Sequence, residues 1–244
     1  MALKYLRRNI TLSLFLILLS LLLYLTHFLL FGDIHHILIY FIGDLAFLPI
    51  EVLLVTLIFH RLLNEREKRV MLKKLYMVIG AFYSEVGTWL LKFFASAGSH
   101  SENLIIKDHW SEQDFNNADI FIKNYCSKID SANCDLVVLR GYLIEKRDFL
   151  LRLLENPNLL ENESFTELLW AVFHLTEELV VRQNIKQLSH TDSEHLSIDI
   201  NRAYISLILE WLQYMKHLKE NYPYLFSLAL RTNPYDPDAS PVFK

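Results

Sequence analysis

An apolar stretch near the N-terminus, residues 37–59, carries two carboxylates and a proline in its interior. A helix needs about 20 predominantly apolar residues to cross a bilayer, so this stretch is long enough to span one. The two acids are Asp44 and Glu51, and Pro49 lies between them. Because hydrocarbon tolerates ionisable groups poorly, each acid is a candidate functional residue.

Another apolar stretch, residues 9–31, precedes this one and carries no charged side chain apart from His27. It is too long for the core of a signal peptide, and no small-residue cleavage site follows it. The intervening turn at Gly32 and Asp33 has no lysine or arginine, whereas basic residues flank the outer ends of both stretches: Lys4, Arg7, Arg8, Arg61, Arg66, Lys68, Arg69, Lys73 and Lys74. The positive-inside rule therefore predicts a two-span hairpin in the inner (cytoplasmic) membrane, with both termini in the cytoplasm.

Asp44 and Glu51 are two helical turns apart and are therefore predicted to share one face of the second span. In a hairpin that turns near Asp33, Asp44 comes roughly level with Tyr24 and Glu51 comes roughly level with Leu16. Asp44 has two interpretations. It is either protonated or hydrogen-bonded locally, to the Tyr24 hydroxyl or to interfacial water, or it is part of an ion path. Glu51 faces leucine, so it either lines a water-filled path or is protonated at a helix seam.

Pro49 cannot donate a backbone hydrogen bond, so it frees a carbonyl near Leu45 in the second span. Freed carbonyls in membrane helices can bind cations, although most membrane prolines only kink the helix. Pro49 is accordingly grouped with the two acids as a candidate pore residue.

The remaining chain has helical periodicity throughout and no strand pattern. We predict that the second span continues as an amphipathic helix to about residue 97. Shorter helices follow at about 111–127, 133–155, 164–188, 193–220 and 223–230. The Ser164–Glu167 capping box is predicted to start the third of these helices, and residues 190–193 are predicted to form a turn. This part is predicted to be one helical bundle.

Gly80, Ser84 and Gly87 form a stripe of small residues on the helix that follows the second span. Such a stripe allows close approach of another helix and predicts an assembly contact. The alternative is a helix in the bundle core that merely tolerates its glycines.

Composition and motif spacing argue against the commonest enzyme and nucleic-acid-binding classes. The formal net charge is −4, and the six glycines are too widely spaced for a phosphate-binding loop. We therefore predict no enzyme activity, no cofactor and no nucleic-acid partner. Cys126 and Cys134 are expected to be reduced thiols in the cytoplasm.

Two segments of the sequence contain side chains that could bind a metal ion. Glu167, His174 and Glu178 share a helical face, but di-metal bundles need a Glu-x-x-His motif on two helices, and Glu178 can instead pair with Arg182. The segment 190–195 (HTDSEH) is explained equally well as a turn that caps a helix. We therefore predict no metal site in either segment.

Three segments resemble those of uncharacterised prokaryotic two-span membrane proteins with a cytoplasmic helical domain. They are residues 47–51 (FLPIE), 77–87 (MVIGAFYSEVG) and 222–236 (YPYLFSLALRTNPYD). The resemblance covers most of the chain and implies no activity, cofactor or site residue.

Together these features predict an all-α protein with three parts: a transmembrane hairpin at 1–63, a cytoplasmic helical bundle at 64–231 and an extended proline-containing tail at 232–244. Two spans cannot enclose a pathway, so transport would require a homo-oligomer. The leading expectation is an ion-conducting or pore-like homo-oligomer with the second span along its axis. The alternatives are a membrane-anchored module that binds another protein or signals and, with less support, a membrane metalloenzyme.

Overall fold

The computed structural model describes residues 2–98, 102–124, 129–157, 159 and 162–242. Within them every regular element is a helix, which confirms the predicted all-α fold class. The α-helices are α1 (Ala2–Phe31), α2 (Ile34–Phe82), α3 (Thr88–Ala97), α4 (Glu112–Asn124), α5 (Leu136–Leu154), α6 (Glu163–Val181), α7 (His190–Asn221) and α8 (Pro223–Arg231). A π-helical turn joins α2 to α3, and short 3₁₀ turns precede α4 and α5.

The chain divides into two compact units, residues 1–67 and 68–244, and α2 begins in the first and ends in the second. In the first unit α1 and α2 are joined by a two-residue turn. Gly32 has a φ of +63°, a left-handed conformation that glycine adopts without steric cost. The Asp33 carboxylate then accepts hydrogen bonds from the backbone N–H groups of His35 and His36, which caps the start of α2.

The second unit, here called the helical unit, is built around the long helix α7. Helix α7 packs against α3, α4, α6 and α8, and α5 packs against α6. Its largest fully buried side chains are Ile79, Phe82, Leu90, Leu91, Phe94, Leu104, Ile122, Ile129, Leu139, Leu143, Leu150 and Phe165. These apolar side chains form one core to which the end of α2 also contributes.

A π-helical turn, Tyr83–Gly87, interrupts the amphipathic helix that the sequence predicts to continue unbroken to residue 97. The Thr88 N–H donates to the Tyr83 carbonyl, five residues back, which inserts one extra residue into the turn. Two contacts from other helices hold this geometry. The Tyr83 hydroxyl donates to the Leu207 carbonyl (2.8 Å), and the Tyr142 hydroxyl donates to the Glu85 carbonyl (2.8 Å).

Several predicted helix boundaries were wrong. Helix α6 is capped by the Asn162 side chain, which accepts a hydrogen bond from the Phe165 N–H, rather than by Ser164. It also ends at Val181, well before residue 188. Residues 190–193, predicted to be a turn, instead form the first turn of α7, because Ser189 caps that helix through the Asp192 N–H. Likewise, Asp135 caps α5, which begins at Leu136.

The sequence analysis predicted an extended segment after α8. In the structure this segment instead folds through a series of turns over residues 232–242. Asn233 and Tyr235 are buried, and the Tyr235 ring packs against Trp211 of α7 at 5.3 Å. The Asn233 side chain donates to the Leu104 carbonyl at 3.3 Å. This segment is therefore part of the helical unit's core.

Candidate functional site

Asp44 lies in a cavity of about 680 Å³ between α1 and α2 of the first unit. The cavity has several polar side chains on its wall besides Asp44: Ser20, Tyr24, His27, His36 and Tyr40. The imidazole rings of His27 and His36 are parallel, with centroids 6.0 Å apart. Asp44 and Tyr24, which helix geometry placed at the same level, thus line the same cavity, together with the apolar side chains Leu16, Leu19, Leu23 and Ile37.

Glu51 and Pro49 lie outside this cavity, and both are exposed. Within the first unit, the apolar side chains on either side of Glu51 are exposed as well. The structure therefore does not bring Asp44 and Glu51 into one site within a single chain.

The three residues of the small-residue stripe have different environments. A Cβ atom added to Gly80 would lie 2.9 Å from the Tyr214 hydroxyl oxygen, so Gly80 is in close contact with α7. Ser84 is exposed. Gly87 is buried, and a Cβ atom there would meet the rings of Phe82 and Tyr83 in its own helical segment. The π-helical turn changes the helical phase between Gly80 and Gly87, so the three residues do not share one contact.

Four side chains with metal-ligand chemistry meet between α6 and α7, and we call them the histidine–carboxylate cluster: His174, Glu178, His195 and Asp199. The Asp199 Oδ2 atom lies 3.5 Å from His174 Nε2 and 3.4 Å from His195 Nε2. Glu178 Oε1 lies 3.9 Å from His174 Nε2, and Glu178 Oε2 lies 3.7 Å from His195 Nε2. Two imidazoles therefore face two carboxylates across the helix pair.

Each carboxylate of the cluster also pairs with an arginine. Arg182 contacts Glu178 Oε2 at 2.5 Å, and Arg202 contacts Asp199 Oδ1 at 3.2 Å. The hydrogen bond from Arg182 holds the pKa of the Glu178 carboxyl below its ordinary value, and the charges of Arg182, His174 and His195 act in the same direction. Both carboxylates are thus oriented by a cation on one side.

Asp199 is the most buried member of the cluster, with 2% of its surface exposed. Its Oδ2 atom makes no hydrogen bond with any residue that the structure describes. Buried carboxylate oxygens rarely lack a hydrogen-bond partner, so this atom requires a physical explanation.

The sequence reasoning missed this cluster because it treated the two groups of residues separately. Glu167 is exposed and lies outside the cluster, whereas His174 and Glu178 face His195 and Asp199, which lie in the helix predicted at 193–220. Asp199 belongs to neither of the two groups. The available signal was a His-x-x-x-acid spacing on two successive helices, at 174–178 and 195–199, which puts each pair on one helical face.

Cys134 is a free thiol, and Cys126 lies outside the described residues. Burial, together with the charge of Asp130, raises the pKa of the Cys134 thiol to about 11. At neutral pH Cys134 is therefore protonated and poorly suited to act as a nucleophile or ligand.

Comparison with known proteins places both units in one family. Residues 4–63 match the family described as "MJ1433, N-terminal helical domain", and residues 71–231 match "Uncharacterized protein MJ1433, C-terminal helical domain". The chain belongs to the MJ1433 family. It is similar to uncharacterized protein MJ1433 of Methanocaldococcus jannaschii, with 48% identity over 232 residues that cover 94% of each chain.

No solved structure matches the chain. The N-terminal MJ1433 match contains Asp44 and Glu51, and the C-terminal match contains the whole histidine–carboxylate cluster. The resemblance seen in the sequence was to uncharacterised two-span membrane proteins with a cytoplasmic helical domain. The comparisons confirm an uncharacterised family with N- and C-terminal helical domains, and the membrane spans stay a prediction.

Proposed function

We propose that this chain is a membrane-anchored interaction or signalling module: α1 and the first part of α2 span the inner membrane, and the helical unit lies in the cytoplasm. By length and composition, Ile10–Phe31 and part of Ile34–Ala97 are candidate membrane spans, and the apolar window of each contains no buried residue. This observation carries the proposal, because an apolar helix of a water-soluble core would be covered by its own chain.

The contrast between the two units supports an anchoring role. The helical unit buries its own apolar core, whereas large apolar side chains of the first unit are about half exposed or more along nearly its whole length. Lipid could cover such a surface without leaving backbone N–H or C=O groups unpaired, because a helix makes its backbone hydrogen bonds within itself.

Cysteine labelling in intact cells tests the proposed topology. In a variant that lacks Cys126 and Cys134, a cysteine at Asp33 is expected to react with a membrane-impermeant maleimide. A cysteine at Ser240 is expected to react only after the cells are permeabilised, because the flanking basic residues hold both termini inside. Reaction of the Ser240 cysteine from outside, or of neither cysteine after permeabilisation, would contradict the arrangement.

A second function, an ion pathway through a homo-oligomer, is favoured by one observation: Glu51 is exposed within the second candidate span. If second spans surround an axis, symmetry places one Glu51 carboxylate from each copy around that axis. A ring of carboxylates attracts cations and is a recognised form of selectivity filter.

Liposome flux measurements separate the two functions. For a pore, Glu51→Gln is expected to reduce cation flux strongly at unchanged oligomer size, because it removes charge and preserves shape. Asp44→Asn is the matched control and is expected to have a smaller effect, since Asp44 lies in the cavity with Tyr24. Silent wild-type liposomes across several cations would eliminate the pore and leave the anchored module.

A further inference from the structure

We propose that the histidine–carboxylate cluster binds one divalent transition-metal ion of the zinc type, with Glu178, His195 and Asp199 as ligands and His174 beside them, facing the same two carboxylates. One ligand atom from each of Glu178, His195 and Asp199 lies within 4.8 Å of the other two. Nothing in the proposed anchoring or pore function requires this site, so the inference is independent of both.

The distances fit the dimensions of a metal site. Zinc binds imidazole nitrogen and carboxylate oxygen at about 2.0–2.2 Å, and tetrahedral geometry then separates neighbouring ligand atoms by about 3.3–3.5 Å. The Asp199 Oδ2 atom lies at 3.4 Å and 3.5 Å from the two imidazole Nε2 atoms. The Glu178 oxygens lie slightly farther from the same nitrogens, at 3.7 Å and 3.9 Å, which a small side-chain rotation would close.

The buried Asp199 Oδ2 atom is an independent observation that points to a ligand. Asp199 is 2% exposed, yet this oxygen has no hydrogen-bond partner among the described residues. It faces the Nε2 atoms of His195 and His174 at 3.4 Å and 3.5 Å, but neither contact is a hydrogen bond, and Arg202 contacts the other oxygen, Oδ1. A cation bound between Asp199 Oδ2 and His195 Nε2 would satisfy this buried oxygen.

The surroundings of the cluster also resemble those of a metal site. Ligating carboxylates are usually held by a further hydrogen bond that fixes their orientation. Here Arg182 holds one oxygen of Glu178, and Arg202 holds one oxygen of Asp199. About half of each histidine side chain is exposed, which gives an ion a path of entry.

The donor set selects the class of metal. A donor set of imidazole and two carboxylates suits zinc, manganese or iron, whereas magnesium and calcium prefer oxygen ligands alone. The charges are compatible with a divalent ion: Glu178, Asp199 and the adjacent Asp192 oppose Arg182 and Arg202, which leaves a negative balance at the site when both histidines are neutral.

The test uses the full chain in detergent, purified without a polyhistidine tag and stripped with a chelator. Calorimetric titration with Zn²⁺ is expected to give one ion per chain, and bound Co²⁺ is expected to show the intense visible absorption of a four-coordinate ion. His195→Ala and Asp199→Asn are each expected to weaken Zn²⁺ binding by at least about tenfold.

The matched control is His190→Ala, since His190 lies on the same helix and its ion pair is with exposed Glu194 at 3.5 Å, outside the cluster. It is expected to bind Zn²⁺ like the wild type. Zn²⁺ should also raise the melting temperature of the wild type and of His190→Ala but not of Asp199→Asn, which retains the size of the side chain.

Three results would overturn the site: less than one bound ion per wild-type chain, an equal loss of affinity in His190→Ala and His195→Ala, or unchanged binding in Asp199→Asn. The first would mean that the cluster is a set of ion pairs. If His195→Ala fails to fold, the titration and melting of Asp199→Asn still decide the question.

Discussion

Replacing Gly87 with alanine is expected to lower the free energy of unfolding of the helical unit by about 1–3 kcal/mol, the usual cost of overpacking a filled core. The added Cβ would lie 2.5 Å from Tyr83 Cδ1 and 2.9 Å from Phe82 Cε1. Neither ring can move freely, because both are buried and the Tyr83 hydroxyl is bonded to the Leu207 carbonyl. Thermal melting followed by circular dichroism in detergent measures the loss.

Gly80→Ala is the matched control for this prediction. The added Cβ would meet the hydroxyl end of Tyr214, a partly exposed side chain that can rotate away. Alanine also gains up to about 1 kcal/mol of helix propensity over glycine. The melting temperature of Gly80→Ala is therefore expected to stay close to that of the wild type. An equal drop for both variants would contradict the packing described around Gly87.

Glu210→Gln is expected to stabilise the helical unit at neutral pH. Glu210 lies in α7 with 5% of its surface exposed. Burial raises the pKa of its carboxyl above the ordinary 4.5, and a hydrogen bond with Ser164 offsets only part of that rise. The folded protein thus carries a buried carboxylate that is costly to ionise, whereas glutamine keeps the shape without the charge.

The sign of the pH dependence follows from the raised pKa. Above pH 4.5 Glu210 releases its proton in the unfolded chain but still holds it in the folded protein. The free energy of unfolding therefore falls as the pH rises from 4.5 toward the raised pKa that Glu210 has in the folded protein. The stability difference between Glu210→Gln and the wild type should therefore be smallest in acid and grow toward neutral pH. Denaturant titrations of both proteins at a series of pH values measure this difference. A constant or shrinking difference would contradict the burial of an ionisable Glu210.

The fold class could be predicted from the sequence because apolar residues recur at steps of three and four in the helices of the helical unit. Helix ends were less predictable, since neighbouring residues compete for the same capping role. The Ser164–Glu167 pattern is a valid capping signal, yet the Asn162 side chain reaches the Phe165 N–H and starts α6 earlier. Ser189 does the same for α7.

The π-helical turn and the histidine–carboxylate cluster could not be predicted from periodicity, because both depend on how helices rotate against each other. Nothing in the sequence of Tyr83–Gly87 marks an inserted residue, and contacts from Leu207 and Tyr142 hold it in place. The cluster likewise requires that one face of α6 meets one face of α7. The proximity of Asp44 and Tyr24 was easier to predict, since a two-residue turn fixes the register of the hairpin.

The hydrogen bond between Tyr83 and Leu207 joins residues that are 124 positions apart in the chain. At a synthesis rate of 5–20 residues per second, the ribosome needs roughly 6–25 s to reach the second partner after the first. Helices α5 to α8 are close neighbours in sequence, so we expect them to assemble among themselves before the end of α2 and α3 dock. During synthesis the apolar face from Leu75 to Phe94 is therefore expected to remain without its α7 partners until α7 has been made.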